Sequence, residues 1–203
     1  SGTGTLKTQC TSSTPLPSGK TWPGNVVYNG TSAQTGVSGT FGNIGIENTA
    51  GVTLAAGANM SIDGYLFINT SKYLTIPTGT VVSAQTVTNN AGISGITILS
   101  NPNSPNGSLI FFNNTNNPVS GTVQMYSKAS ATNYSNGVYS GYKWQYFGIP
   151  IKSIVADPTF YGCYVRKYNE AGIGVGSSPT NYWISQTNSS ILSSFNGYEI
   201  TQP

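Results

Sequence analysis

Residues 51–76 read GVTLAAGANMSIDGYLFINTSKYLTI, and one short theme returns three times within them: Gly-Val-Thr-Leu, Asn-Met-Ser-Ile and Tyr-Leu-Thr-Ile. Each copy runs apolar, polar, apolar after a turn. That alternation puts one face of an extended strand in a core and its Thr or Ser face in water. The same pattern spreads outward from about residue 40 to 125, through 43–46, 51–54, 59–62, 65–68, 73–76, 81–82, 86–88, 95–99, 107–111 and 121–125. Between these runs sit TAG, AAG, DG, NTSK, PTG, NNAG and NPNSPNG, all turn or breaker signals. No helical stripe of useful length interrupts them. Strands this short fit two architectures. A sandwich of antiparallel hairpins usually has longer strands. A parallel β-solenoid stacks coils of about 20–30 residues, each with two or three strands. The repeated theme favours the solenoid. Asn-rich turns suit its corners, where Asn stacks over Asn in left-handed conformations.

Beyond residue 125 the chain changes character. Of 13 tyrosines, Tyr28, Tyr65 and Tyr73 precede that point and the other ten follow it, together with Trp144 and Trp183. The runs 142–151, 161–170, 180–186 and 197–202 are longer, and Gly/Ser/Asn loops separate them. They read as an antiparallel sheet or sandwich. The expected fold is therefore all-β, a short parallel β-solenoid followed by an antiparallel β-sheet or sandwich region, with a single β-sandwich as the alternative. The expected divisions are an extended or capping segment at 1–39, solenoid coils at 40–125 and a Tyr/Trp-rich antiparallel region at 126–203.

Composition narrows the chemistry. The 203 residues contain no histidine and five carboxylates, Glu47, Asp63, Asp157, Glu170 and Glu199. Charged residues make up 6% of the chain, against roughly a quarter of an average soluble domain. Proton shuttles and hard ligand clusters are scarce, so Ser-His-Asp, Cys-His and acidic calcium sites are not expected. Neither a cofactor nor a metal site is expected. Abundant Gly, Pro, Ser and Asn hint at disorder, but 11% aromatic residues and the period-two pattern indicate a folded chain. A net charge of +3 with one adjacent basic pair, Arg166–Lys167, does not suggest nucleic acid. No apolar run of about 18 residues spans a membrane. The opening SGTGTLKTQC, without Met or signal peptide, reads as a mature or excised chain. Cys10 and Cys163 either close one long disulfide loop or are two unrelated thiols.

The pieces 51–68, 73–80, 107–111, 121–128, 142–151, 165–170, 182–183 and 197–200 together resemble secreted and surface adhesin-like proteins of Bacteroidetes. In such proteins β-solenoid coils precede a β-sandwich-like module. Trp-x-Tyr-Phe-Gly-Ile-Pro, then Tyr-Asn-Glu, then Gly-Tyr-Glu is the more specific part; the coils are generic. The likeness covers about residues 40–200, and the opening TQCTSSTPLPSGKTWPGNVVYNG lies outside it. It implies an extracellular or cell-surface address and a contact role.

Two kinds of site remain to weigh. A glycosidase would need two carboxylates about 5–9 Å apart, and Glu170 with Glu199 is the one pair that strand placement brings near. Asp63 and Asp157 read as turn residues. Structural pairing of Glu199 or Glu170 with Arg166 or Lys167 is the simpler reading, so no catalytic residue is expected. The glycine-rich run 172–178, GIGVGSS, lacks the lysine and helix of a phosphate loop and reads as a plain loop. The Asn-x-Ser/Thr triplets at Asn29, Asn69, Asn113, Asn133 and Asn188 follow from composition. A binding site rests instead on the rings Tyr142, Trp144, Tyr146, Tyr182 and Trp183, with Tyr164, Tyr168 and Tyr198 nearby. Tyr142, Trp144 and Tyr146 alternate along one predicted strand and share a side, as core or as an exposed platform. The function expected is a non-enzymatic surface protein whose β stalk presents an aromatic surface to a glycan or a host or cell-surface protein. The alternatives are a carbohydrate-binding or weakly carbohydrate-active module and a spacer in a larger surface fibre.

Overall fold

A computed structural model describes residues 4–113, 118–127, 129, 131–135, 138–172 and 182–202. The chain divides into two compact units, Ser1–Tyr126 and Ser127–Pro203. The first unit's described strands are β1 (Thr5–Thr8), β2 (Lys20–Tyr28), β3 (Gln34–Gly36), β4 (Gly39–Ile46), β5 (Val52–Leu54), β6 (Asn59–Ile68), β7 (Leu74–Ile76), β8 (Val81–Asn89), β9 (Ile96–Ile98), β10 (Ser108–Phe111) and β11 (Thr122–Val123). They fall into two sheets, ordered β1-β2-β4-β6-β8-β10 and β11-β9-β7-β5-β3. Every pairing within them is parallel. From β2 onward successive strands therefore alternate between two sheets, which is a parallel β-solenoid.

The register explains the sequence theme. Val52, Leu74 and Ile96 lie over one another at intervals of 22 residues, all buried. From the long-stranded sheet, Val26, Ile44, Leu66 and Val87 form the facing buried row. The polar residue of each apolar–polar–apolar triplet points the other way. Thr35, Thr53, Thr75, Thr97 and Thr122 line up in register along the outside of the short-stranded sheet.

Three expectations change. Runs 59–62 and 65–68 are one strand, β6, and Asp63-Gly64 is an irregularity within it where the register slips between Ile62 and Tyr65. Slips also occur between Phe41 and Ile44 and between Trp22 and Asn25, so a bulge repeats from coil to coil. Second, the segment 1–39, expected as extended or capping, contributes β1, β2 and β3 to the solenoid sheets. Pro23-Gly24 sits inside the bulge of β2, where a missing N–H is tolerated. Third, asparagines do stack, but not at left-handed corners. Asn43 Nδ2 donates to Asn25 Oδ1 at 2.7 Å, Asn25 Nδ2 donates to Thr5 Oγ1 at 3.2 Å, and Asn43 Oδ1 accepts from the Tyr65 N–H at 2.9 Å. The ladder follows the bulges. Among the described residues the non-glycine positive φ angles belong to Ser71 and Phe195.

In the second unit the strands are β12 (Ala131–Ser135), β13 (Val138–Tyr142), β14 (Gln145–Phe147), β15 (Ser153–Val155), β16 (Tyr164–Tyr168), β17 (Trp183–Ser185), β18 (Ile191–Ser193) and β19 (Tyr198–Thr201). All pair antiparallel, as a β12-β13 hairpin, a β14-β19-β16-β17 sheet and a β15-β18 pair. Val165, Tyr198 and Ile200 point to one side of the four-stranded sheet and form a core with Ile149, Ala156 and Leu192. By its place in the sequence Tyr198 is one of the candidate binding rings. It is instead a core ring, whose hydroxyl accepts from the Ser193 N–H at 2.8 Å.

The bulge stack is tight at glycine. A Cβ on Gly42 would run into the carbonyl oxygens of Pro23 and Gly24, and one on Gly64 into the side chain of Asn43 and the Gly42 carbonyl. Backbone cannot yield as a side-chain tip can. Gly42→Ala should therefore destabilise the first unit by about 3 kcal/mol, at the upper end for overpacking. Urea unfolding followed by far-UV circular dichroism checks it, and an unshifted midpoint would mean the coils do not approach this closely.

Candidate functional site

Period two divides the four-stranded sheet into an inner and an outer face. Tyr146 of β14 lies opposite Glu199 of β19, Glu199 opposite Arg166 of β16, and Arg166 opposite Ser185 of β17. Tyr164 and Tyr168 flank Arg166 on that same face, because alternate residues of Tyr-Val-Arg-Lys-Tyr share a side. The outer face thus carries an ion pair at its centre and rings around it.

Those rings form a connected strip. Tyr164 meets Tyr142 edge to face at 5.7 Å between centroids, and Tyr142 lies 6.2 Å from Trp144. The Arg166 guanidinium sits 3.8 Å from the Trp144 centroid and 6.0 Å from that of Trp183. Trp183 then stacks on Tyr146 at 5.7 Å with 25° between planes, and meets Tyr168 at 5.2 Å. Tyr146 and Trp183 come from the two edge strands, so they meet across the two strands that carry Glu199 and Arg166. Guanidinium over indole is the strongest cation–π geometry, about 0.5–2 kcal/mol depending on desolvation.

The expectation of one strand carrying Tyr142, Trp144 and Tyr146 on a shared side needs correcting. Tyr142 ends β13, which pairs with β12, whereas Tyr146 is the middle of β14, which pairs with β19. Trp144 lies between the two strands. The chain changes partner there, so the three rings are joined through Arg166 and Trp183 rather than in a simple row. Tyr146 is 72% exposed, while Tyr142, Trp144 and Trp183 are half-buried. Tyr182 is half-buried too, and its carbonyl accepts from the Asn169 N–H at 2.8 Å. Sequence reading did not single out Arg166 as the hub. Its alternation with Tyr164 and Tyr168 was the available signal.

Glu199 is 2% exposed and ion-paired with Arg166. Burial pushes its carboxyl above the ordinary value, and the guanidinium pulls partly back. Glu170, the other candidate carboxylate, is exposed at the start of a short 3-10 turn, Glu170–Gly172. Of the glycine-rich run 172–178, all beyond Gly172 lies outside the described residues. Cys10, in the first unit, and Cys163, in the second, are each free in the structure. Each sulfur is engaged nearby: Cys10 Sγ lies 3.2 Å from Ser12 Oγ, and Cys163 Sγ accepts from Gln202 Nε2 at 3.4 Å. Among the described residues, no three His, Cys, Asp or Glu side chains gather as a metal site. Among them, too, no helix is long and apolar enough to cross a membrane.

Beside Arg166 lies a groove of about 650 Å³, bordered among others by Tyr142, Trp144, Tyr161, Tyr164, Gln186 and Asn188.

Over 161 residues the chain is 29% identical to the minor fimbrium subunit Mfa5 of Porphyromonas gingivalis, which takes in 70% of this chain and 12% of that protein. What is shared is thus a small part of the relative's length. This similarity agrees, at the level of a Bacteroidetes surface component, with the resemblance noted above. No family model matches the chain, and no solved structure matches it.

The raised carboxyl of Glu199 sets a pH dependence. The folded state holds that proton more tightly than the unfolded chain, so stability falls as pH rises from about 4, the unfolded value, through the native one. Glu199→Gln should remove that slope. Denaturation midpoints of both proteins across the acid range check this, and parallel curves would show that Glu199 is not buried as an acid.

Proposed function

We propose that the chain is a non-enzymatic component of a surface fibre, located outside the cell or at its surface. In this reading the solenoid unit is a rigid stalk, and the ring strip of the second unit is an adhesive contact surface for a glycan or a cell-surface protein. One observation carries it: six rings, bridged by a single guanidinium, run across the outer face of a sheet whose other face is the core. Rings held in this way supply large, rigid contact area at low entropic cost. Similarity to a fimbrium subunit supports the fibre context. The state of Glu199 supports the absence of catalysis. A carboxylate buried against Arg166 is a structural group, and its partner candidate Glu170 stands exposed on a turn.

A spacer role makes a different prediction, because it needs no particular ring. Trp183→Ala and Tyr164→Ala should each weaken attachment of the immobilised chain to glycan- or protein-coated surfaces by about tenfold, with unfolding midpoints shifted little. Attachment unchanged in both would leave only the spacer. Turnover of a polysaccharide that disappears in Glu170→Gln or Glu199→Gln would overturn the non-enzymatic reading.

A further inference from the structure

We infer that the groove beside Arg166 is a subsite for a neutral saccharide of one or two rings. This rests on the contact-surface reading above and narrows it to one ligand class and one place. The groove's volume of about 650 Å³ falls within the span of small-ligand sites, roughly 300–1,000 Å³.

Ring exposure is the first support. Tyr161 and Tyr164 border the groove and are 78% and 51% exposed. Tyr164 is steadied by its edge-to-face contact with Tyr142. Aromatic rings with an apolar body and a wet hydroxyl suit a pyranose, whose C–H face is apolar and whose rim is polar. The second support is the polar border. Gln186 and Asn188 each offer a donor and an acceptor, matching sugar hydroxyls, which do both. A Gln186 amide hydrogen goes to the Ile184 carbonyl at 2.8 Å, which steadies that side chain at the rim.

Charge decides the subclass. Arg166 is the charged side chain bordering the groove, and its guanidinium is already engaged by Glu199 and by the face of Trp144. A carboxylate, sulfate or phosphate on the ligand would have to compete with a buried carboxylate for it. An acidic sugar therefore gains little here, and a neutral one loses nothing. A peptide has a different natural route, pairing along the backbone of the edge strand β17, which does not use the Tyr161 and Asn188 side chains.

The test uses the whole chain against an array of neutral oligosaccharides, their sialylated and sulfated counterparts, and tyrosine- and proline-rich peptides, with calorimetry on the best neutral disaccharide. Tyr161→Ala and Asn188→Ala, both exposed positions, are the groove variants; Tyr146→Ala alters the strip outside it. Expected is binding to neutral sugars, weakened about tenfold by Tyr161→Ala, the worth of one stacked ring, weakened also by Asn188→Ala, and unchanged in Tyr146→Ala. Should Tyr161→Ala fail to fold, Asn188→Ala alone decides. Preference for acidic sugars or peptides, or neutral binding lost with Tyr146→Ala and kept in both groove variants, overturns the subsite and leaves the broader contact surface standing. No binding by any probe overturns the subsite as well. The contact surface falls with it only if the Trp183→Ala and Tyr164→Ala attachment assays are also flat.

Discussion

Parallel stacking in register is the constraint on which the first unit depends. A strand of the solenoid finds no hydrogen-bond partner in its own coil; its N–H and C=O groups bond to the coil before and the coil after. Each coil must therefore match its neighbours residue by residue. The match shows in the buried rows Val26–Ile44–Leu66–Val87 and Val52–Leu74–Ile96. It shows equally in the irregularity. A bulge in one coil cannot stand alone, so it recurs at Trp22/Asn25, Phe41/Ile44 and Ile62/Tyr65. Glycines at 42 and 64 let backbone approach backbone there, and the Asn25–Asn43 ladder satisfies polar groups the slip would otherwise strand.

In the second unit the governing fact is a division of one sheet into two faces. The inner face is hydrophobic, with Val165, Tyr198 and Ile200 in the core. The outer face hides an ion pair. Burying a carboxylate is unfavourable even with a partner, and such a pair is weak support for stability. Its value is positional: Glu199 holds Arg166, and Arg166 reaches both Trp144 and Trp183. Electrostatics thereby joins rings that arise far apart in the chain.

Display and reaction make opposite demands on such a surface. A catalytic carboxylate must reach solvent or substrate with a tuned proton, whereas Glu199 is shielded and committed. Contact surfaces need rigid rings, polar rims and little net charge, and the outer face with its groove has all three. A chain with 6% charged residues has few charges with which to build such a surface, and here one of them, Arg166, is held by Glu199.

From sequence alone the all-β class and the solenoid were legible, because alternation and the returning apolar–polar–apolar theme are local signals that survive without a partner. Which rings meet was not legible. Tyr146 and Trp183 are separated by 37 positions in the numbering, and sheet order alone brings their strands to one face. Local punctuation also misled where stacking overrode it: Asp63-Gly64 looks like a turn and is a bulge inside a strand. Composition could say that rings and few charges were present. Only antiparallel register in the second unit could place a glutamate beneath an arginine and an arginine between two indoles, because side-chain neighbours across strands are set by pairing and not by distance along the chain.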